Sequence, residues 1–257
     1  MNSARPSSGS VSAGSWKRSP GSAGSRGAYS ALFTLILLDL LIGPTLLEAG
    51  HPGSPWMNLL VFTSVFVVLL FAYTQTVRLL FLLVFLPILL LDHWVLLQEP
   101  SPAIRLTSLF GNLLICIATQ ITVIMQLHHR PRATLDTLLG AVCVYLLIGY
   151  DFYLVYDMVE LVSPGSFRMQ GQNLVSSDKV PHLLNRPQLL YFSFVTFTTL
   201  GYGDIAPTWS LPRSLVVIEA LISQLFTAIL FSVLVSSYVA NSWSQVIPEE
   251  QPDRNRS

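Results

Sequence analysis

The run Thr198-Thr199-Leu200-Gly201-Tyr202-Gly203-Asp204 brings together residue types suited to one kind of chemistry. Water leaves a cation only when something else offers oxygen in its place. Consecutive backbone carbonyls supply that oxygen without placing formal charge at membrane depth. Aiming successive carbonyls the same way needs backbone angles that alternate in hand. Gly201 and Gly203 permit this cheaply because they carry no Cβ. Thr199 can add its hydroxyl as an innermost ring of oxygens. The Gly201-Tyr202-Gly203 triplet is weak by itself, and its surroundings sharpen it.

Those surroundings are the elements that must hold the turn. Ahead of it lies an apolar run, Leu189 to Phe197, opened by Pro187 and too short to cross a bilayer. Behind it lies an uninterrupted apolar helix from about Leu211 to Val239. A half-crossing helix, a turn and a full crossing make a re-entrant loop. Non-helical backbone at that depth is tolerated only where it lines a water-filled path or is buried in protein.

The rest of the chain agrees with a membrane setting. Its 257 residues are 52% hydrophobic and 11% charged, with a mean hydropathy of +0.58, beyond the range of soluble domains. Apolar segments fall at about Tyr29–Leu47, Met57–Thr74, Leu79–Leu97, Leu106–Leu127, Leu135–Tyr156 and Leu211–Val239. Each is near the roughly 20 residues that a spanning helix needs. The expected fold is therefore an all-α integral membrane protein: six transmembrane helices plus a re-entrant pore helix and its loop. Pro44 and Pro87 lie inside segments and are expected to kink them. The domain reading is a disordered tail over 1–28, a four-helix region over 29–128, a pore domain over 133–243 and a short tail over 244–257. With 14 basic and 14 acidic residues the chain suggests no nucleic-acid partner. Cys116 and Cys143 both sit in apolar runs and read as small hydrophobes. No nucleophile with its base, phosphate-cradling loop or zinc spacing is visible, so the chain reads as no enzyme, and no cofactor is expected.

The run 198–204 resembles the potassium-channel signature, usually TVGYGD, with Leu200 where Val is commonest and Thr198-Thr199 intact. The resemblance covers roughly Leu135 to Trp243. It implies that the carbonyls of Thr199, Leu200, Gly201 and Tyr202 face K+ as the permeating ion. It also implies that the Tyr202 ring packs outward against the pore helix and that Asp204 sits at the outer mouth. Thr198, Gly203 and Asp204 would support the filter, as would Glu219, which is placed to brace the pore helix from behind. Two positions depart from the family: Tyr191-Phe192 stand where many members carry paired Trp, and Val195 where some carry Glu. One filter per chain requires four chains around the ion path, so the resemblance implies a homotetramer in membrane lipid.

Orientation can be read from charge. With the filter opening outward, as in the family, both termini are cytoplasmic. The inner side then holds Arg5, Lys17, Arg18, Arg26, Arg78, Arg130, Arg132, Arg254 and Arg256. The outer side holds Arg105, Arg168, Lys179, Arg186 and Arg213, a bias that follows the positive-inside rule. The expected location is the cell membrane. Asp151, Asp157 and Glu160 cluster at the outer end of the fifth segment, where they would either concentrate cations or form a solvated helix end. Asp39 sits near the middle of the first segment, where an ionisable group is costly and usually paired. The fourth segment holds no basic residue, unlike a voltage sensor, and the short final tail suggests no fused ligand domain. The alternative functions are a non-conducting or regulatory channel subunit and a potassium uptake transporter component, although such transporters carry several degenerate loops per chain and this chain has one.

Overall fold

A computed structural model describes residues 28–48, short pieces between 79 and 91, and residues 101–128, 135–169, 172–173 and 186–246. The expected second span, most of the third, most of both tails, Lys179 and the Asp39 side chain lie outside the described residues. Five helices carry the described chain: α1 (Ala28–Glu48), α2 (Pro102–His128), α3 (Leu135–Val162), α4 (Arg186–Phe197) and α5 (Ser210–Val246). Three of them, α2, α3 and α5, are long and apolar enough to cross a membrane. Their placement follows the apolar runs, because in lipid a helix is the one open-chain structure that satisfies every backbone group internally.

Helix α3 is the hub, packing against α1, α2, α4 and α5. Two apolar clusters lie along it. One joins Tyr153, Leu154 and Tyr156 of α3 to Leu189, Leu190 and Phe192 of α4, with Leu109 and Cys116 of α2. The other joins Tyr29, Leu32 and Ile36 of α1 to Val123 of α2 and to Cys143, Val144 and Leu147 of α3. Both cysteines are buried and neither is in a disulfide; Cys143 Sγ donates to Tyr29 O at 3.7 Å. Gly149 lets α4 come close: a Cβ there would stand 3.3 Å from the rings of both Phe194 and Phe197.

Three hydroxyls of α2 are satisfied locally. Thr107, Thr119 and Thr122 each donate to the carbonyl four residues back, at 2.8–2.9 Å. Helix α5 differs from the other spans. Only 11% of its apolar stretch is buried within the chain, against 44% for α2 and α3, leaving Val217, Leu221, Leu225 and Ile229 exposed.

The all-α expectation needs one correction. Three short strands, β1 (Phe167–Met169), β2 (Gln172–Asn173) and β3 (Ile205–Pro207), form an antiparallel sheet in the order β2-β1-β3. Phe167 pairs with Pro207, Arg168 with Ala206 and Met169 with Ile205. Strands of two and three residues are too short to leave an alternating pattern in the sequence.

Candidate functional site

Helix α4 begins at Arg186 with Pro187 in its first turn, where a missing N–H costs nothing. It ends at Phe197, and the turn 198–204 folds back from its C-terminus. The carbonyls that end α4 are taken up by the turn itself. Thr198 N–H donates to Phe194 O at 2.9 Å and Thr199 N–H to Thr196 O at 2.9 Å. Val195 O accepts from Leu200 N–H at 2.9 Å and from Gly201 N–H at 3.2 Å. The helix end is thereby welded to the first residues of the turn.

Beyond that point the backbone alternates in hand. Thr199, Gly201 and Gly203 have φ of 60°, 57° and 75°, so every second residue is left-handed. Two of these are the glycines that the sequence singles out. Thr199 is a third, and a β-branched residue there is a genuine outlier. Holding it costs about 1–3 kcal/mol, which the surrounding bonds must supply. Residues 198–203 are all exposed in the single chain, and a Cβ on Gly201 or Gly203 would meet nothing within 4 Å. The ring of Tyr202 is 67% exposed in the single chain.

The outer end of the turn is anchored twice. The Tyr191 hydroxyl of α4 faces the Asp204 carboxylate. After Asp204 the chain enters β3 and is stitched to the segment following α3. Thr208 N–H donates to Ser166 O at 2.9 Å, Thr208 Oγ1 to Gly165 O at 2.9 Å, and Trp209 Nε1 to Ser166 Oγ at 2.9 Å.

Glu219 is fully buried, on the α5 face turned toward α4. Ser193 of α4 stands 2.6 Å from its Oε1, and the Tyr156 hydroxyl of α3 donates to its Oε2. Ser193 Oγ also donates to Gly149 O at 2.7 Å. One turn further along, Ser223 of α5 donates to Phe197 O, with Tyr145 of α3 3.4 Å from both groups. Glu219 thus joins α5 to α4 through Ser193 and to α3 through Tyr156. Tyr145, Tyr156, Ser193 and Ser223 were not singled out in the sequence. Tyr156 and Glu219 are 63 residues apart, and no local spacing marks such a pair.

The acids of α3 are a correction. Neither reading of them, a cation-gathering surface or a solvated helix end, survives. Asp157 and Glu160 are both 4% exposed. Asp157 forms a buried ion pair with Arg105 of α2 at 3.0 Å. Glu160 accepts from Gly165 N–H at 2.7 Å and Phe167 N–H at 3.1 Å, shaping the turn that leads into β1. Asp151 accepts from Gln120 Nε2 of α2 at 2.6 Å. In a medium without water a carboxylate must find its partners within the protein. Among the described residues no group of three His, Cys, Asp or Glu side chains could hold a metal.

Residues 141–240, from α3 through most of α5, match the model of a family described as ion channel. No curated protein and no solved structure matches the chain. The match and the apolar helices together support a membrane protein carrying an ion-channel domain.

Proposed function

We propose that the chain is a subunit of a potassium-selective channel that conducts passively through a homotetrameric pore. The observation that carries this reading is the left-handed backbone at Thr199, Gly201 and Gly203 within the TTLGYGD run. Alternation in hand is what a row of inward-facing carbonyls needs. In this reading Thr199, Leu200, Gly201 and Tyr202 provide the oxygens, and K+ sheds its water into them and moves by mutual repulsion between ions in file. Thr198, Gly203 and Asp204 hold the turn, and Glu219 holds the helix behind it.

Tetrameric assembly is supported by what the single chain leaves open. The turn 198–203 lies exposed at its edge, and α5 presents an apolar face with few internal contacts. A closed ring of four copies would cover both. The exposed Tyr202 ring would then meet a neighbouring copy. Six crossings, cytoplasmic termini and a cell-membrane location complete the reading, on the charge bias of the loops.

Weak voltage dependence belongs to the same proposal. Helix α2 has no basic residue between Arg105 and His128, and Arg105 is fixed to Asp157. No free charge remains on it to move through the field. The test is a K+-versus-Na+ flux assay on purified chain in liposomes, at several voltages. Selective K+ flux is expected. Equal K+ and Na+ flux refutes the filter assignment, and flux only in the presence of a second protein favours a regulatory subunit.

A further inference from the structure

Helix α2 lies ahead of residues 141–240, the stretch that matches the ion-channel family, and it is polar on the inside. Its buried face carries Arg105, Ser108, Asn112, Thr119 and Gln120, each no more than 8% exposed. The opposite face, with Phe110, Leu114, Ile117, Ile121 and Ile124, is exposed. Lipid permits a polar face only where its groups meet partners within the protein. For α2 the partner helix is α3, which brings three acids to the seam.

Two of these acids are fully engaged. Asp157 meets Arg105 at 3.0 Å, and Glu160 accepts from two backbone amides. Asp151 is different. Val162 ends α3, so at about 1.5 Å per residue Asp151 lies about 16 Å below that end, inside a hydrocarbon layer about 30 Å thick. Its Oδ2 accepts from Gln120 Nε2 at 2.6 Å. Its Oδ1 is buried without a hydrogen-bond partner, and among the described residues no basic side chain pairs with it. Helix side chains lean toward the N-terminus, which brings the Gln120 amide toward the level of Cys116. That thiol is 1% exposed and within electrostatic reach of Asp151. Beyond Gln120 the seam turns apolar: Val123, Cys143, Val144 and Leu147, none more than 2% exposed, pack in one cluster. In the other direction Asn112, Ser108 and Arg105 lead toward the end of the bundle that carries β1–β3.

A dry carboxylate with one neutral donor and no countercharge is costly. A metal ion, a basic side chain or a proton could offset that cost. Among the described residues no group of three His, Cys, Asp or Glu side chains could hold a metal, and Arg105 is bound to Asp157. A proton needs a single oxygen. We propose that Asp151 is a proton-binding site, exchanging with water at the β-sheet end of the bundle, and that its proton latches α2 onto α3. Uptake takes one proton from water and leaves a neutral carboxyl whose carbonyl keeps the Gln120 bond. Release returns the proton to water and leaves a charge in the seam, which draws water between the helices and loosens α2. Of the other titratable groups around α3, Cys116 faces the site from α2, Arg105 and Asp157 neutralise each other, and Glu219 of α5 is held by Tyr156 and Ser193. Asp39 of α1 is also placed at membrane depth, its side chain outside the described residues.

The test uses the full chain in liposomes and needs no current, so its outcome is independent of the potassium-channel reading. At neutral pH an ordinary aspartate is ionised. Infrared spectra there are expected to show a protonated-carboxyl band that Asp151→Asn removes and Asp39→Asn keeps. Gln120→Leu should keep the band and move it to higher frequency, because the carbonyl loses its one hydrogen bond. The second arm follows alkylation of Cys116 by a membrane-permeant thiol reagent in a Cys143→Ala background, these two being the chain's only cysteines. Between neutral and alkaline pH, labelling with Asp151 present should rise about tenfold more than with Asp151→Asn, the effect of stranding one buried polar group. An equal rise in both overturns the latch. A band indifferent to Asp151→Asn, or removed by Asp39→Asn instead, overturns the proton site. Should Asp151→Asn fail to insert, Gln120→Leu carries the test, and an unshifted band then overturns the site.

Discussion

Replacing Gly201 or Gly203 by alanine isolates the backbone demand of the proposed filter. At both positions a Cβ would meet nothing within 4 Å in the single chain, so a clash with the chain's own atoms contributes nothing. What remains is the conformational cost of φ at 57° and 75°, about 1–2 kcal/mol for an L-residue held left-handed. In a tetramer the cost is incurred by four copies around one ion path, about 4–8 kcal/mol in all. At 1.4 kcal/mol per decade, that lowers the share of conducting filters by roughly three to six orders of magnitude. The assay is K+ uptake into liposomes by equal amounts of inserted protein. Flux through either variant should fall to background, while insertion and helix content are unchanged. D-Alanine at the same site, which prefers positive φ as the primed turns of hairpins do, should restore most of the flux. Normal K+ conduction by both L-alanine variants, or equal loss with D-alanine, would refute the reasoning that backbone hand forms the site.

Three further predictions address assembly, gating and stability. Mixing Gly203→Ala chains with wild type should lower flux as the fourth power of the wild-type fraction, and a linear fall would mean that each chain conducts alone. Open probability measured across positive and negative voltages in symmetric K+ should give an apparent gating charge below about 3 elementary charges per channel, and a larger value would contradict the fixed pairing of Arg105. Arg105→Met should destabilise the folded protein by about 3–5 kcal/mol in denaturant unfolding in detergent, because Asp157 loses its buried ion-pair partner. Adding Asp157→Leu should recover most of that loss, whereas a double variant no better than the single one would show that the pair matters little to stability.

The sequence alone determined the three long apolar helices found among the described residues and the two glycines of the turn. Apolar runs of spanning length place helices without reference to their neighbours, because lipid leaves a chain no other way to satisfy its backbone. Residues 106–127, 135–156 and 211–239 accordingly lie inside α2, α3 and α5. Gly201 and Gly203 were legible because only glycine adopts positive φ freely. Thr199 was not, since its strained backbone is imposed by bonds from the turn to the last carbonyls of α4. Tertiary structure also decided the fate of the charges. Local spacing presents Asp151, Asp157 and Glu160 as a group of like charges, yet each turns to a different partner: Gln120, Arg105, and the Gly165 and Phe167 amides. The same holds for Glu219, whose bonds to Tyr156 and Ser193 join three helices. Hydropathy along one chain records the cost of burying a charge. Which group offsets that cost depends on helices brought together from distant parts of the sequence, and a single sequence carries no mark of it.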